Sequence, residues 1–516
     1  MTKRPNILFV MADQMAPGFL PIHGHPVVKT PHLSTLAERG AVFDSAYCPS
    51  PLCAPSRFSM MAGRRPAGIG AYDNAADFAA DVPTFAHYLR QAGYRTALSG
   101  KMHFCGPDQL HGFEERLTTD IYPADFGWTP DWEHPEARPS WYHNMFSVIQ
   151  AGSCQRSNQL DFDEEVVYAA RRYLFDAARG SDERPFCLVV SMTHPHDPYA
   201  ILPEYWNRYR EADIDLPKLA TSPDPKDLHW RRLRHVADAD RYEVTETHIR
   251  RARRAYYGAI GYVDDQLGNL LRTLRDTGVE GETIVLFTAD HGDMLGERGL
   301  WYKMNWYENA ARVPLVVKFP GEHKGRRVGQ SVSTIDLLPT LAEIAGDGKA
   351  PAYGAPVDGH SLLSHLSSGN GHDEVLGEYF GEGAIAPLLM IRRGRYKYIR
   401  SRPDPEQLYD LVADPLEQVN LAGDPAQAKT LAQFRSEALL RWNEDELSAQ
   451  VIASQRRRHL VAQSMTRGQH TSWDFQPRRD ASRSYMRNHL ELDDLEYRSR
   501  LPHVEAPASD GRIKMR

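Results

Sequence analysis

Cysteine is scarce in this sequence, with five residues in a chain of 516. Small domains held together by disulfides have a far higher density of cysteine, and an odd number cannot pair completely. The scarcity therefore excludes a disulfide scaffold and favours a reducing compartment, so we predict a cytoplasmic protein. It also means that each cysteine needs an explanation of its own.

Long apolar runs are absent as well. No uncharged stretch approaches the roughly 20 residues needed to span a membrane, so we expect no membrane partner. The short run 7–12 follows Lys3 and Arg4, but it ends in Asp13-Gln14 without a small-residue cleavage pattern. It is too short for a secretory signal, and we interpret it as a buried first strand.

The chain also lacks an excess of positive charge. It has 61 Lys+Arg against 68 Asp+Glu, a net charge of −7. A general nucleic-acid binder should be strongly basic, so no nucleic-acid partner is expected. Hydrophobic residues make up 41% and charged residues 25%, close to globular averages, which excludes wholesale disorder.

Short apolar runs alternate with helical patterns along most of the chain. This alternation predicts an α/β protein with a large, mainly parallel sheet and helices on both faces. Thr30 is the expected cap of the first helix, which Gly40 should end. We predict strands at 7–11, 94–99, 186–192, 283–288 and 313–319, and helices at 31–39, 84–92, 245–276 and 335–345.

The pattern changes in the last third of the chain. The turn Arg393-Gly394 lies between the apolar runs 388–392 and 395–400, which predicts a hairpin. We therefore divide the chain into a catalytic domain over 1–375, a smaller C-terminal α+β subdomain with an antiparallel hairpin over 376–450, and a C-terminal extension over 451–516.

The extension 451–516 is Arg-rich and reads as irregular. It keeps the aromatic residues Trp473, Phe475 and Tyr485, which a disordered tail would be expected to lack. We therefore predict an ordered extension that packs on the protein or on another subunit. A homodimer or homotetramer formed through this tail is the corresponding expectation.

Polar side chains follow four of the predicted strands: Asp13, then Lys101 with His103, then His194, then Asp290 with His291. A single such residue is commonplace as a turn or cap, but four strand ends are hard to explain as turns alone. In open parallel sheets ligands bind beyond the carboxyl ends of the strands. Asp and His suit a divalent cation, which is Ca²⁺ or Mg²⁺ if oxygens dominate and Zn²⁺ if nitrogens do.

The segment Cys53-Ala54-Pro55-Ser56-Arg57 is the most specific signal. Taken alone, Cys53 could be a buried small hydrophobe, or could pair with Cys48 as a redox couple or thiolate site. The C-x-P-S-R order, however, resembles the signature of the sulfatases. In that family a formylglycine-generating or equivalent maturation enzyme converts the cysteine to formylglycine, whose hydrate is the nucleophile. The strand-end residues fall where the family keeps its metal and sulfate ligands.

Longer stretches resemble the choline sulfatases within that family, namely 99–103, 106–130, 193–199, 290–301 and 484–489. The resemblance implies an alkaline-phosphatase-like fold and the hydrolysis of choline-O-sulfate to choline and sulfate. Three alternatives stay open: a phosphonate monoester or phosphodiester hydrolase, an aryl sulfatase, and a catalytically silent metal- or choline-binding protein in which Cys53 is never converted.

The resemblance also implies roles for individual residues. The metal ligands would be Asp13, Cys53 as formylglycine, Asp290 and His291, with Ca²⁺ favoured and Mg²⁺ or Mn²⁺ open. Most sulfatases have a second Asp where this chain has Gln14, and a Thr where it has Ala62. The remaining roles would be to hold the formylglycine (Arg57), to bind sulfate (Lys101, Lys303), to protonate the leaving oxygen (His194) and to break down the sulfated hemiacetal (His103).

Choline carries a quaternary ammonium that cannot donate hydrogen bonds, so its site should offer an aromatic face and a carboxylate. We predict Trp128 and Glu382 for these functions, although ordinary core packing explains Trp128 equally well. By resemblance, Asn74, His143 and Asn144 are polar pocket residues. Asp493 would reach a neighbouring subunit's pocket through the tail, unless it is a solvated charge. No role is predicted for Cys48, Cys105, Cys154 and Cys187.

Overall fold

A computed structural model describes residues 4–222, 224, 226–321, 324–367, 369, 371–478 and 496. Two sheets dominate the described residues. The strands are β1 (Asn6–Ala12), β2 (Ala41–Tyr47), β3 (Arg95–Gly100), β4 (Glu115–Arg116), β5 (Gly152–Ser153), β6 (Phe186–Ser191), β7 (Ala200–Ile201), β8 (Thr283–Ala289), β9 (Leu315–Lys318), β10 (Arg326–Ser333), β11 (Glu374–Tyr379), β12 (Leu388–Arg393), β13 (Tyr396–Arg400) and β14 (Gln407–Asp410).

Helices alternate with the strands of the large sheet, as predicted, and two more helices follow the last strand. They are α1 (Pro31–Glu38), α2 (Cys53–Ala62), α3 (Phe85–Gln91), α4 (Phe146–Ile149), α5 (Asn158–Arg179), α6 (Pro203–Trp206), α7 (Leu228–Val236), α8 (Glu246–Asp276), α9 (Glu308–Ala311), α10 (Leu337–Ala345), α11 (Leu363–Ser367), α12 (Ala428–Arg441) and α13 (Glu444–Met465). None of the helices in the described ranges is long and apolar enough to cross a bilayer.

The large sheet has eight strands in the order β10-β2-β9-β8-β1-β6-β3-β4. Only β9 runs antiparallel to its neighbours β2 and β8. The other pairings are parallel, so the prediction of a mainly parallel sheet is confirmed. Every residue of β1 is buried, as expected for a central parallel strand covered on both faces.

The register of the central strands brings their carboxyl ends together. Met11 of β1 lies opposite Ser191 of β6 and Thr288 of β8, and Gly100 of β3 also lies opposite Ser191. The segments that follow β1, β3, β6 and β8 therefore emerge at one edge of the sheet. These are the four segments in which the sequence places the polar clusters.

The second sheet is antiparallel, in the order β11-β12-β13-β14. Its central pair, β12 and β13, is the hairpin predicted around Arg393-Gly394. The strand β11 already begins at Glu374, and α12 packs its Leu431 and Phe434 against this sheet. The division of the chain into three parts stays a prediction.

Two local expectations differ from the structure. Thr30 occupies the cap position of α1, but its side chain makes no capping hydrogen bond, and Asp264 on α8 accepts from the backbone N–H groups of His32 and Leu33 instead. The start of the extension is not irregular, because it forms the helix α13 with Asn443 as its cap. Its inward face is largely polar, so the apolar period that would have predicted a helix is weak.

The extension beyond α13 packs on its own chain as far as the structure describes it. The ring of Trp473 contacts that of Phe126, with centroids 5.2 Å apart, and the backbone N–H of Ala124 donates to Asp474 Oδ1 at 3.0 Å. The guanidinium of Arg116 lies over the ring of Phe475. The predicted order of this segment is thus found for residues up to 478, while Tyr485 lies outside the described residues.

Candidate active site

A buried ion-pair network lies at the carboxyl ends of β1 and β8. Arg57 donates from Nη2 to Asp13 Oδ2 at 3.0 Å and from Nε to Asp290 Oδ2 at 2.8 Å, and all three side chains are fully buried. The ammonium of Lys101 also pairs with Asp13. Burial alone would raise the pKa of Asp13, but Lys101, His196 and Arg57 outweigh it and hold the pKa well below its ordinary value.

Four candidate metal ligands converge beside this network. Ligand atoms of Asp13, Cys53, Asp290 and His291 all lie within 4.8 Å of one another. Cys53 Sγ lies 3.2 Å from His291 Nε2, and His291 Nδ1 lies 3.0 Å from the Gly292 carbonyl, which orients the ring. Two carboxylates with one imidazole and position 53 fit a hard divalent cation. The residues present therefore suit the metal that the sequence predicted.

Cys53 is the first residue of α2, and the whole of this helix is buried. The backbone N–H of Ala54 donates to Asn74 Oδ1 at 3.0 Å, and the hydroxyl of Ser56 donates to the carbonyl of Asp290 at 2.6 Å. The side chain at position 53 thus extends from the positive end of a helix dipole into the carboxylate and imidazole cluster. Asn74 therefore contacts the cluster only indirectly, by accepting a hydrogen bond from the backbone of α2 next to Cys53.

Gln14 does not direct its amide oxygen at the carboxylates. Its Oε1 accepts from Lys303 Nζ at 2.7 Å, and its Nε2 donates to Asp293 Oδ2 at 2.7 Å. A left-handed backbone (φ 61°) aims its N–H at Asp290 Oδ1, 3.0 Å away. Backbone conformations of this kind cost energy and concentrate at functional sites. The structure thus uses Gln14 to hold Lys303 at the cluster.

Lys101, Lys303 and His103 form the polar wall around position 53. Lys101 Nζ lies 4.2 Å from the centroid of the Tyr122 ring. Both ring nitrogens of His103 are buried and have no hydrogen-bond partner among the described residues, and its backbone N–H donates to Asp120 Oδ2. Burial, assisted by Lys101, lowers the pKa of His103 to about 3. A neutral imidazole and two ammonium groups suit the oxygens of a tetrahedral anion.

His194 and His196 point to different neighbours, although only one residue separates them. His194 Nδ1 lies 2.7 Å from Asp163 Oδ2 on α5, and its ring packs on Tyr262 of α8. His196 Nε2 instead lies 2.8 Å from Lys303 Nζ. The structure therefore brings His196 into the cluster and holds the predicted residue, His194, against the helices. The sequence alone predicts no role for His196, although His196 lies in the stretch 193–199 together with His194.

An aromatic wall and a carboxylate adjoin the lysines. The ring of Trp128 contacts Tyr122 and His103, with centroids 5.1 and 5.8 Å apart. His143 lies between Lys303 and Glu382: its Nε2 is 3.2 Å from Lys303 Nζ, and its Nδ1 is 3.5 Å from Glu382 Oε2. Glu382 is only 3% exposed. The predicted residues Trp128, His143 and Glu382 thus line one continuous cluster with Lys101 and Lys303.

Other predicted residues have different positions. Asn144 Oδ1 accepts from the backbone N–H of Phe146 at 2.8 Å, so its side chain caps a turn next to His143. Asp493 lies outside the described residues. Burial raises the pKa of Cys48 and Cys105 well above the ordinary value and that of Cys187 to about 12, while Cys154 is half-buried with a pKa that burial also raises. Such thiols are poor nucleophiles at neutral pH.

The helix α13 supports the site from outside. Arg458 forms two hydrogen bonds with Asp73, at 2.6 and 2.7 Å, and donates to Thr129 Oγ1. Gln455 Oε1 accepts from the backbone N–H of Trp132. Asp73 directly precedes Asn74, and Thr129 directly follows Trp128. The buried Arg458 thus ties the C-terminal helix to two segments of the candidate site.

We expect Arg458→Met to destabilise the fold by about 3–5 kcal/mol, because it leaves the carboxylate of Asp73 buried without its partner. Chemical denaturation monitored by circular dichroism measures this change. Arg456→Met is the matched control, since Arg456 lies on the same helix but pairs with the exposed Glu133; we expect little change there. Equal stability of the two variants would contradict this account of the ion pair.

Comparisons with known proteins agree with the site. The family model described as Sulfatase matches residues 5–347, and two further models match later segments: "N-sulphoglucosamine sulphohydrolase, C-terminal" over 296–444 and "Choline sulfatase enzyme C terminal" over 449–501. A Choline-sulfatase of Rhizobium meliloti (strain 1021) is 46% identical over 98% of this chain and 100% of that protein. Arylsulfatase K of Danio rerio is 28% identical over 88% of this chain and 91% of that protein.

Solved structures show the same fold. A phosphonate monoester hydrolase, SpPMH from Silicibacter pomeroyi, superposes with a TM-score of 0.68 at 23% identity, covering 85% of this chain and 95% of that one. The chain belongs to the sulfatase family, in the alkaline-phosphatase-like superfamily, and is a sulfuric ester hydrolase. The resemblance to choline sulfatases that the motifs indicated is confirmed.

Proposed function

We propose that this protein hydrolyses choline-O-sulfate to choline and sulfate, with position 53, converted to formylglycine, as the nucleophile. One observation carries the proposal: Lys303 connects through His143 to the buried carboxylate of Glu382, and Lys101 lies over the Tyr122 ring of the aromatic wall. Such a site offers cations to a sulfate at one end and a carboxylate with π-faces to an ammonium at the other. The 46% identical relative, named a choline-sulfatase, supports the same substrate.

Asp13, Asp290, His291 and position 53 would hold the metal, for which we propose Ca²⁺ because two carboxylates dominate the ligand set. Mg²⁺ and Mn²⁺ also accept these ligands. A bound cation of this kind would neutralise charge on the sulfate oxygens, and formylglycine would supply an oxygen nucleophile. Arg57 holds both carboxylates in place, and Lys101 and Lys303 face the sulfate oxygens.

His196, rather than His194, is our candidate for protonating the leaving oxygen of choline. Its Nδ1 lies 2.6 Å from the Asp197 carbonyl and its Nε2 lies 2.8 Å from Lys303 Nζ. If Nδ1 donates to that carbonyl, Nε2 accepts from the ammonium, and a proton is held between Nε2 and Nζ. A group at that position can deliver the proton to an alkoxide as the ester bond breaks.

The aromatic wall explains the preference for an ammonium ester. Trp128 offers its face next to Tyr122, and Trp141 stacks on it with an interplanar angle of 18°. Glu382 supplies the nearby negative charge. Cation–π attraction contributes about 2 kcal/mol when the site is desolvated, which is a useful share of the affinity for a ligand as small as choline sulfate.

We expect Trp128→Ala to raise KM for choline sulfate about tenfold or more, because the ammonium loses its aromatic face. The same change should affect an aryl sulfate much less, since an aryl sulfate carries no ammonium. Steady-state kinetics on both substrates measures the difference. Trp128→Phe keeps an aromatic face and should recover most of the affinity. Equal losses on the two substrates would remove Trp128 from the ammonium site.

A phosphonate monoester or phosphodiester hydrolase is the second candidate. The same pocket of two lysines and an arginine accepts a phosphonate anion, and the superposed SpPMH is named a phosphonate monoester hydrolase. A panel of choline sulfate, an aryl sulfate and a phosphonate monoester separates the candidates. We expect the highest kcat/KM on choline sulfate, and a highest value on either other ester would overturn the proposal.

Three further expectations accompany the proposed function. Conversion of Cys53 requires a formylglycine-generating or equivalent enzyme, and mass spectrometry of the peptide containing Cys53 detects the fall in mass when SH₂ is replaced by O. We also propose a homo-oligomer formed through the C-terminal tail, in which Asp493 approaches a neighbouring site. A cytoplasmic location stays a prediction from cysteine usage.

A further inference from the structure

Three imidazoles and one carboxylate lie together away from the candidate active site, where β10 leads into α10. Asp336 directly precedes α10, and His360 and His372 lie on the segments before and after α11. Ligand atoms of Asp336, His360 and His372 all lie within 4.8 Å of one another. His372 Nε2 is 3.0 Å from Asp336 Oδ2, and the rings of His360 and His372 have centroids 4.9 Å apart.

A third imidazole, that of His365 on α11, contacts His372 of this group. Its Nε2 lies 3.4 Å from His372 Nδ1, and the residue is only 1% exposed. Its Nδ1 is buried and has no hydrogen-bond partner among the described residues. Burying a polar nitrogen without a partner is unfavourable, so this imidazole is not placed here by its own hydrogen bonds alone. Three imidazoles around one carboxylate therefore require more than ordinary packing to explain them.

Helix capping accounts for Asp336 but not for the histidines. Its carboxylate accepts from the backbone N–H of Ser333 at 2.8 Å and from that of His360 at 2.7 Å. These bonds shape the entry to α10 without any imidazole. They also hold the carboxylate still and bring His360 next to it. Each carboxylate oxygen keeps a second lone pair, so a cation can share it.

We propose that Asp336, His360 and His372 bind a Zn²⁺-type cation, with the imidazole of His365 orienting the ring of His372. Imidazole nitrogens outnumber oxygens here, in contrast to the oxygen-rich active site, and this balance favours zinc over calcium or magnesium. A tetrahedral zinc site with bonds of about 2 Å separates its ligand atoms by roughly 3.3 Å. Ligand atoms within 4.8 Å of one another reach that spacing when the exposed His360 moves by up to about 1.5 Å.

The site lies near the end of the nucleophile helix that is opposite to Cys53. The carbonyl of Gly63, which ends α2, accepts from the backbone N–H groups of Asp358 and Gly359 at 2.8 and 3.1 Å. His360 follows directly. A cation that joins His360 to Asp336 thus anchors the segment that closes α2. The site acts on stability, and it does not depend on which ester the enzyme hydrolyses.

Isothermal titration of the full-length protein with Zn²⁺, in excess Ca²⁺ to occupy the active site, tests the proposal. We expect one tight Zn²⁺ per chain, bound about tenfold or more weakly by His360→Gln and by His372→Gln. The exposure of His360 makes its variant safe for folding, which circular dichroism checks. Zn²⁺ should also raise Tm in the parent protein and not in these variants.

His134→Gln is the matched control, because His134 is an exposed imidazole 2.8 Å from the carboxylate of Asp131 and belongs to none of the candidate metal groups among the described residues. It should bind Zn²⁺ like the parent protein. Zinc held at the active site is unaffected by His360→Gln. Unchanged affinity in both folded variants, or no tight Zn²⁺ in the parent protein, overturns the proposal.

Discussion

Replacing Cys53 by alanine should reduce sulfate-ester hydrolysis to the background rate while the fold persists. The reason is that the side chain at position 53 is the group around which the cluster converges, 3.2 Å from His291 and at the start of α2. Removal of a catalytic nucleophile in a hydrolase costs up to about 10⁶-fold in kcat. Release of sulfate from choline sulfate, measured on protein purified free of host sulfatases, gives the size of the loss.

Cys48→Ala is the control for this experiment. Cys48 is as buried as Cys53 and lies five positions before it in the sequence, but it is not one of the four converging ligand residues. We expect a modest loss of stability from the small cavity and nearly unchanged kcat. Near-normal turnover by a folded Cys53→Ala protein would show that another group attacks the ester.

Replacing His196 by alanine should reduce kcat for choline sulfate by about 10²–10⁴-fold, the usual contribution of a general acid. An alkoxide such as that of choline is a poor leaving group, and we propose that its proton comes from the contact between His196 Nε2 and Lys303 Nζ, which lie 2.8 Å apart. An aryl sulfate releases a stable phenolate and should lose much less. Comparing kcat for the two substrates therefore separates proton donation from a general loss of structure.

The matched variant is His194→Ala, two positions earlier in the same motif. Because His194 is held by Asp163 and packs on Tyr262, we expect it to change stability and to affect the alkyl and aryl esters alike. A larger, leaving-group-dependent loss in His194→Ala than in His196→Ala would restore the original assignment of the acid to His194.

Much of the fold and of the site could be predicted from residue patterns. The carboxyl ends of parallel strands meet at one edge of the sheet, so the sequence alone predicts that Asp13, Lys101 and Asp290 lie close together. Cys53 could be singled out as the candidate nucleophile because the C-x-P-S-R order resembles the sulfatase signature. In each case the signal is local, because the residues adjoin a strand or a short motif with a fixed backbone geometry.

Other parts of the site depend on contacts between distant segments. Lys303 enters the cluster because the residues on both sides of it, Tyr302 and Met304, have left-handed backbone conformations that turn the loop inward. Tyrosine and methionine rarely adopt this conformation, so the sequence does not predict it. The sequence does not predict helix α13, because the helix packs through polar contacts such as that of Arg458 with Asp73. It therefore lacks the periodic apolar face from which helices are recognised. Neither feature follows from composition or spacing.

The scarcity of cysteine is a property of the sequence alone. The parallel α/β order, the candidate nucleophile at position 53 and the polar residues at the strand ends could also be predicted from the sequence, since these signals are local. Only the tertiary structure decided which histidine of the 194–197 motif faces Lys303, what Gln14 binds, and how Glu382 joins the lysines through His143. Those outcomes depend on the direction of each side chain after packing. That direction is set by neighbours hundreds of residues away.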